Sequence, residues 1–242
     1  SNITDTVVKT ITIDWLLLDD DVWNVAATPN NSVYVLNRGL PGILEYIEKI
    51  DTQRDTWLGH IPPLWPTRRR GLAVDTLGRA WVVGRGVIVC CTHGDSLIAE
   101  GHLGNCDGIM VTCASDGNAY TTVVTQDGQY EGIMAMRTDG DSLLVTVWHS
   151  FGVRQGLFDI AEDSVRHKLW VTMYDSGYAK RLDMGSRSVD LTVLVPLATG
   201  VCTYPEVNRV YVTSCSTHSV YVLDATTGAI LRQIPVGARP WG

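Results

Sequence analysis

Arg209-Val-Tyr-Val-Thr213, Ser219-Val-Tyr-Val-Leu223, Ala225-Thr-Thr-Gly228 and Ala229-Ile-Leu-Arg-Gln-Ile234 decide the fold. β-branched and aromatic residues alternate with polar ones at a period of two, and short polar turns part the pieces. That is the pattern of short antiparallel strands. Upstream, Gly200-Val-Cys202 and the turn Pro205-Glu-Val-Asn208 complete a unit of four strands.

The unit recurs. Ser32-Val-Tyr-Val-Leu36, Arg79-Ala-Trp-Val-Val83, Asn118-Ala-Tyr-Thr-Thr122 and Lys168-Leu-Trp-Val-Thr172 match Arg209 to Thr213. Their aromatic column is Tyr34, Trp81, Tyr120, Trp170 and Tyr211, with members roughly 40–50 residues apart. A short apolar strand and a turn rich in Asn, Asp, Gly or Pro precede each one. Such turn residues suit the tight backbone of a hairpin. No amphipathic helix emerges, because Gly, Pro and β-branched residues interrupt every window. Four-strand units at this period predict an all-β chain folded as a β-propeller, since one unit cannot bury both faces alone. The count predicts one domain over residues 1–242, with five blades of four antiparallel strands; six blades is the alternative. The aromatic column is expected between blades.

Val210-Tyr-Val-Thr-Ser-Cys-Ser-Thr-His-Ser-Val-Tyr-Val-Leu-Asp224, with Gln233-Ile-Pro-Val-Gly-Ala-Arg-Pro-Trp-Gly242, resembles the YVTN-type β-propeller repeat family. Ser214 stands where the family name has Asn. The resemblance is clear over the last forty or so residues. It implies a propeller of the extracellular or cell-surface kind, acting in binding or as a scaffold. It carries over no catalytic residue.

The 242 residues hold 19 Lys and Arg against 26 Asp and Glu, a net charge of −7. An acidic surface disfavours nucleic acid. No uncharged apolar run approaches the roughly 20 residues that span a bilayer. Six cysteines, the sequons at Asn2 and Asn30, and a start at Ser1 without Met point to a secreted or surface-exposed glycoprotein, where disulfides are permitted. Cys106 with Cys113 and Cys202 with Cys215 are the candidate bridges; the alternative is buried thiols packing as small apolar groups.

Residues 1–21 hold an N-terminal strand, Thr6 to Ile13, and its lead-in. Ala229 to Ile234 competes for the same outer position. Either the last blade has a fifth strand, or a terminus pairs with another molecule as an added strand.

Tempting motifs have plainer readings. Gly-Asp-Ser-Leu at Gly94 to Leu97 and at Gly140 to Leu143 falls at one repeat position, where a turn explains both copies. His60, His102 and His149 also match, but just beyond the outer strands, at a radius that would hold them roughly 20 Å apart, far beyond one ion's reach. No metal and no cofactor is assigned. The favoured site is the channel mouth. There the connections would gather Asp19, Asp20, Asp21, Arg68, Arg69, Arg70, Asn105, Asp107, Arg154 and Gln155, with Trp65 and Phe151 adding apolar contact. That mixture suits a glycan, peptide or protein ligand; the alternative is a solvated rim of paired charges. The leading function is a non-catalytic binding or scaffold module. A structural subunit assembling into oligomers or filaments through a terminal strand is second. Third is a metal-assisted lactonase- or lyase-like enzyme.

Overall fold

Alternating apolar residues pull each short segment into a strand with one face against a neighbour. The computed structural model describes residues 22–27, 32–37, 46–51, 53–54, 56–61, 69–91, 97–140 and 142–241. Among them the only helical element is a 3-10 turn at Pro205–Val207. The first sheet holds β1 (Val22–Ala27), β2 (Ser32–Asn37), β3 (Tyr46–Asp51) and β4 (Thr56–Ile61) in that order. A six-stranded sheet follows: β5 (Arg69–Val74), β6 (Ala80–Cys91), β7 (Leu97–Cys113), β8 (Ala119–Thr125), β9 (Glu131–Asp139) and β10 (Ser142–Gly152). The third sheet holds β11 (Leu157–Asp163), β12 (Lys168–Met173), β13 (Tyr178–Asp183) and β14 (Ser188–Leu194). The fourth holds β15 (Ala198–Tyr204), β16 (Arg209–Ser214), β17 (Ser219–Asp224) and β18 (Ile230–Pro235). All pairings are antiparallel meanders, the connectivity of propeller sheets.

Four hydrogen-bonded sheets stand where five or six separate ones were expected. The difference lies in β6 and β7, which run on through an expected turn and an expected connection. The start of β6 pairs with β5, whereas Val87 to Cys91 pairs with Leu97 to His102; the end of β7 then pairs with β8. Arg85 paired with Asp107 joins the two stretches. Gly86 and Gly104, both at positive φ, sit at the corners. Glycine alone enters that region without strain. The extra terminal strand expected from residues 6–13 lies outside the described residues.

The sheets pack face to face. Tyr34, Leu36 and Ile47 meet Leu72, Ala80 and Val82. Trp81 and Val83 meet Val111, Ala119, Val123 and Met136, so the six-stranded sheet bends back upon itself. Tyr120, Ile133 and Trp148 meet Leu157, Leu169, Val171 and Leu182. Trp170, Ala179 and Val193 meet Ala198, Val210, Val212 and Leu223. Tyr34, Trp81, Tyr120 and Trp170 of the aromatic column are thus all buried between packed faces. Strand β12, with a sheet on either side, is buried on both faces, which is why Lys168 to Met173 reads as a nearly continuous apolar run.

The first strands β1, β5, β7, β11 and β15 lie against one another in that order. Each carries a bulge, near the start of β1, β5, β11 and β15 and within the β8-paired stretch of β7. A bulge leaves its extra residue without a ladder partner. In three of them a threonine faces the bulge and supplies the missing bonds. Thr122, Thr172 and Thr213 accept from the N–H groups of Met110 (3.1 Å), Asp159 (3.0 Å) and Gly200 (2.6 Å). Thr122 then donates across to the Phe158 carbonyl of the next sheet at 2.8 Å, and Thr172 to that of Thr199. Thr122 and Thr172, each two residues after its aromatic, therefore tie neighbouring sheets together. Thr172→Val strips both bonds from a fully buried site and should cost about 2–3 kcal/mol. Thr172→Ser should cost under about 1 kcal/mol, because the hydroxyl remains. Urea unfolding of both variants checks this, and equal losses would contradict it.

Neither candidate disulfide forms. Cys106 and Cys113 sit at opposite ends of one stretch of β7, facing Thr125 and Ala119. Extended strand places them on the order of 20 Å apart. Cys202 faces Tyr211, in unbroken register with the Tyr204–Arg209 pair that closes the hairpin. Cys215 is then four residues further along, roughly 13 Å away. The sequons at Asn2 and Asn30 lie outside the described residues.

Candidate functional site

Strand direction sorts the connections into two ends of the molecule. At one end stand the links before β11 and β15, the turns after β8, β12 and β16, and the tail after β18. These segments are laced together by backbone bonds. Asn105 accepts from Gln126 N–H at 3.0 Å, Gln155 from Ser176 at 3.2 Å, Gly156 from Tyr174 at 2.7 Å, and Leu197 from Cys215 at 3.1 Å. Gly104, Arg154 and Leu197 take positive φ at or just before these carbonyls, turning each connection inward. Asn105 and Gln155 thus hold corresponding positions, as the repeat predicts.

Of the predicted mouth residues, the structure brings Asn105, Asp107, Arg154 and Gln155 to this end. Asn105 and Arg154 are exposed. Gln126 Nε2 reaches Asp107 Oδ1 at 3.4 Å, and Gln155 donates its amide to the Val153 carbonyl at 3.3 Å. Phe151 is placed differently. It sits against His149 with ring centroids 4.6 Å apart and under the Lys180 ammonium at 5.6 Å, packed between sheets. Its position at the end of outer strand β10 is the reason. Arg69 and Arg70 open β5, with Arg69 opposite Gly84. Asp19, Asp20, Asp21, Trp65 and Arg68 lie outside the described residues.

The structure adds residues that the sequence did not single out. The tail after β18 folds back over this end. Its Pro240 carbonyl accepts from Thr199 Oγ1 at 3.0 Å and from Cys215 Sγ at 3.0 Å, and Arg239 N–H donates to His218 Nδ1 at 3.1 Å. Trp241 then lies parallel to Tyr174, at 6.1 Å and 12°, and 6.0 Å from Phe158. Trp241 remains 55% exposed, so the trio offers open aromatic surface. Tyr174 was visible as an aromatic in an otherwise polar turn. Trp241 was visible because the tail repeats the path of an outer-to-inner connection.

Two buried carboxylates support the rim. Glu131 accepts from Gly156 N–H at 3.2 Å and Leu157 N–H at 2.8 Å, fixing the start of β11. Asp159 accepts from Ile160 N–H at 2.8 Å and, across to the next sheet, from Val201 N–H at 2.8 Å. Burial pushes the Asp159 carboxyl up to about 6, and these two N–H bonds offset only part of the shift. A raised folded value means the folded state favours the protonated acid. Its stabilisation is complete below about pH 4 and is lost as pH rises through about 6. The swing is on the order of 2–3 kcal/mol. Asp159→Asn should remove that swing, leaving the variant's stability flatter between pH 5 and 8 than the parent's. Urea titrations at both pH values check it; identical pH dependence in the two proteins would contradict it.

No protein-family model matches the chain, and no curated protein matches it. Solved structures do. A chain of a nidogen/laminin complex is 16% identical, with TM-score 0.66, covering 88% of this chain and 80% of that one. A chain of a mitotic checkpoint complex is 14% identical, with TM-score 0.68, covering 91% and 66%. The β-propeller domain of Cps50 (Swd1) from Myceliophteria thermophila is 7% identical, with TM-score 0.64, covering 90% and 73%. The likeness establishes the fold: an all-β β-propeller.

Proposed function

We propose that this chain is a non-catalytic extracellular binding and scaffold propeller that takes a glycan, peptide or protein ligand at its channel mouth. The observation that carries the reading is the open aromatic trio of Phe158, Tyr174 and Trp241 at the same end of the molecule as the polar groups of Asn105, Asp107, Arg154 and Gln155. Aromatic faces ringed by hydrogen-bonding groups bind sugars and peptides, because they give apolar contact and orientation together. Two of the similar chains come from protein assemblies, a nidogen/laminin and a mitotic checkpoint complex, which favours a protein or peptide partner. The extracellular setting rests on the YVTN-type resemblance of the last repeat.

The finer architecture belongs to the same reading. The six-stranded sheet counts as two modules, β5 to the start of β7 and the end of β7 to β10, which makes five around the axis. Five bulged first strands in succession and an apolar layer inside that sheet support this count.

Glycan and peptide arrays probed with the parent protein, a Tyr174→Ala/Trp241→Ala double variant and an Arg68→Ser/Arg69→Ser/Arg70→Ser triple variant test the placement. Parent signal lost in both variants, with melting temperatures unchanged, is expected. Signal that persists in both, or no parent signal on either array, would overturn it. A self-assembling subunit is the second reading, favoured by Ile230 and Leu231, exposed at 51% and 48% on outermost strand β18. Particle size that grows with concentration, and stops growing in Ile230→Lys/Leu231→Lys, would single it out.

A further inference from the structure

A second recess lies at the opposite end from the mouth. Ala119 faces Met136, so β9 runs on past the end of β8 from Arg137 to Asp139, and Ser142 to Leu144 of β10 pair with that overshoot. The neighbouring strands β13 and β14 are shorter, six and seven residues against nine and eleven. One wall therefore stands proud of the next sheet. Between it and the turn after β13 opens a cleft of about 380 Å³.

Its floor is apolar: Tyr120, Trp148 and Met184, with Tyr120 edge-on to Trp148 at 5.4 Å. Arg137 and Arg187 stand on its rim, exposed, and among the described residues neither guanidinium has an ion-pair or hydrogen-bond partner. The one carboxylate in the lining, Asp116, is engaged by Tyr120 Oη at 2.6 Å and Asn118 Nδ2 at 2.9 Å. Burial, then that bond to Asp116, raises the Tyr120 hydroxyl well above its ordinary range, so it stays a donor. His149 Nδ1–H donates to the Arg187 carbonyl at 2.7 Å and holds the turn against β10. Strand β10 ends its sheet, and among the described residues its outer edge has no strand neighbour.

In a chain of net charge −7, two unengaged cations flanking an apolar floor beside an open strand edge form a complementary set. We propose that this cleft binds an extended acidic peptide segment, laid along the outer edge of β10, with its carboxylates on Arg137 and Arg187 and an apolar side chain over Trp148. Backbone pairing along an edge gives affinity to any extended chain; the guanidiniums select acidic ones. A small anion would leave the apolar floor and the edge unused.

The test is anisotropy of a fluorescein-labelled peptide of alternating Glu and Val, with a Lys and Val peptide as its counterpart. The Glu peptide should bind and the Lys peptide should not. Arg137→Ser/Arg187→Ser should weaken binding about tenfold or more, as should a rise in salt from about 50 to 300 mM. Both arginines are exposed, so the melting temperature should hold. Tyr174→Ala/Trp241→Ala should leave this binding intact, which separates the cleft from the mouth. Equal binding of both peptides, no binding of the Glu peptide, or unchanged affinity in the arginine variant would overturn the proposal.

Discussion

Trp170→Ala should lower the unfolding free energy by about 3–5 kcal/mol. Trp170 has no exposed surface and fills the layer where Ala179 and Val193 meet Ala198, Val210, Val212 and Leu223. Its removal opens a cavity bounded by two sheets that cannot both collapse into it. Trp170→Phe should cost much less, about 1–2 kcal/mol, since the indole N–H has no hydrogen-bond partner among the described residues. Trp81→Phe should cost more than Trp170→Phe, because Trp81 Nε1 donates to Asp75 Oδ2 at 3.1 Å. Chemical denaturation of the three variants gives the ranking. A mild Trp170→Ala effect would mean that the sheets do not depend on this layer.

Gly71→Ala should destabilise by about 3 kcal/mol, at the upper end of overpacking costs. A Cβ built at Gly71 falls 2.8 Å from Met110 Cα, from Val111 N and from Val83 Cγ2. Two of these are backbone atoms of β7, so no side-chain rotation relieves the contact. First strands converge toward the axis, and β5 and β7 approach there more closely than any side chain permits. Gly117→Ala is the control. It sits in a turn at positive φ with nothing within 4 Å, so only backbone strain of about 1 kcal/mol opposes it. If Gly71→Ala proved no costlier than Gly117→Ala, the convergence of the first strands would be in error.

Much of the fold was legible because the repeat is physical. An aromatic two residues before a β-branched residue marks a strand buried on both sides, and Trp81, Tyr120 and Trp170 all sit between packed faces. Bulges were not legible. No residue type announces the extra position, so the two residues between Ala198 and Val201 that oppose the single Thr213 could not be read. The threonines were the missed signal, since Thr122, Thr172 and Thr213 each stand opposite a bulge. Nor could the sequence show that β6 and β7 would continue through Gly86 and Gly104, because glycine serves a bend and a turn equally well. At the mouth, connection positions were readable from the repeat, which placed Asn105 and Gln155. Which side chains stay open depends on packing far along the chain, so Phe151 was overvalued and Trp241 overlooked.

The central claim is five modules around one axis. Spin labels carried on a keto amino acid, which spares the native thiols, can be placed at Leu77, Val165 and Val207. These residues are exposed on turns that follow β5, β11 and β15 at one end of the molecule. The dipolar distances from Leu77 to Val165 and from Leu77 to Val207 decide the count. In a fivefold ring both pairs are two steps apart, so the ratio of the second to the first is about 1.0, whereas six modules give about 1.15 and four give about 1.4. We expect equal distances; a second distance clearly longer than the first would contradict the account.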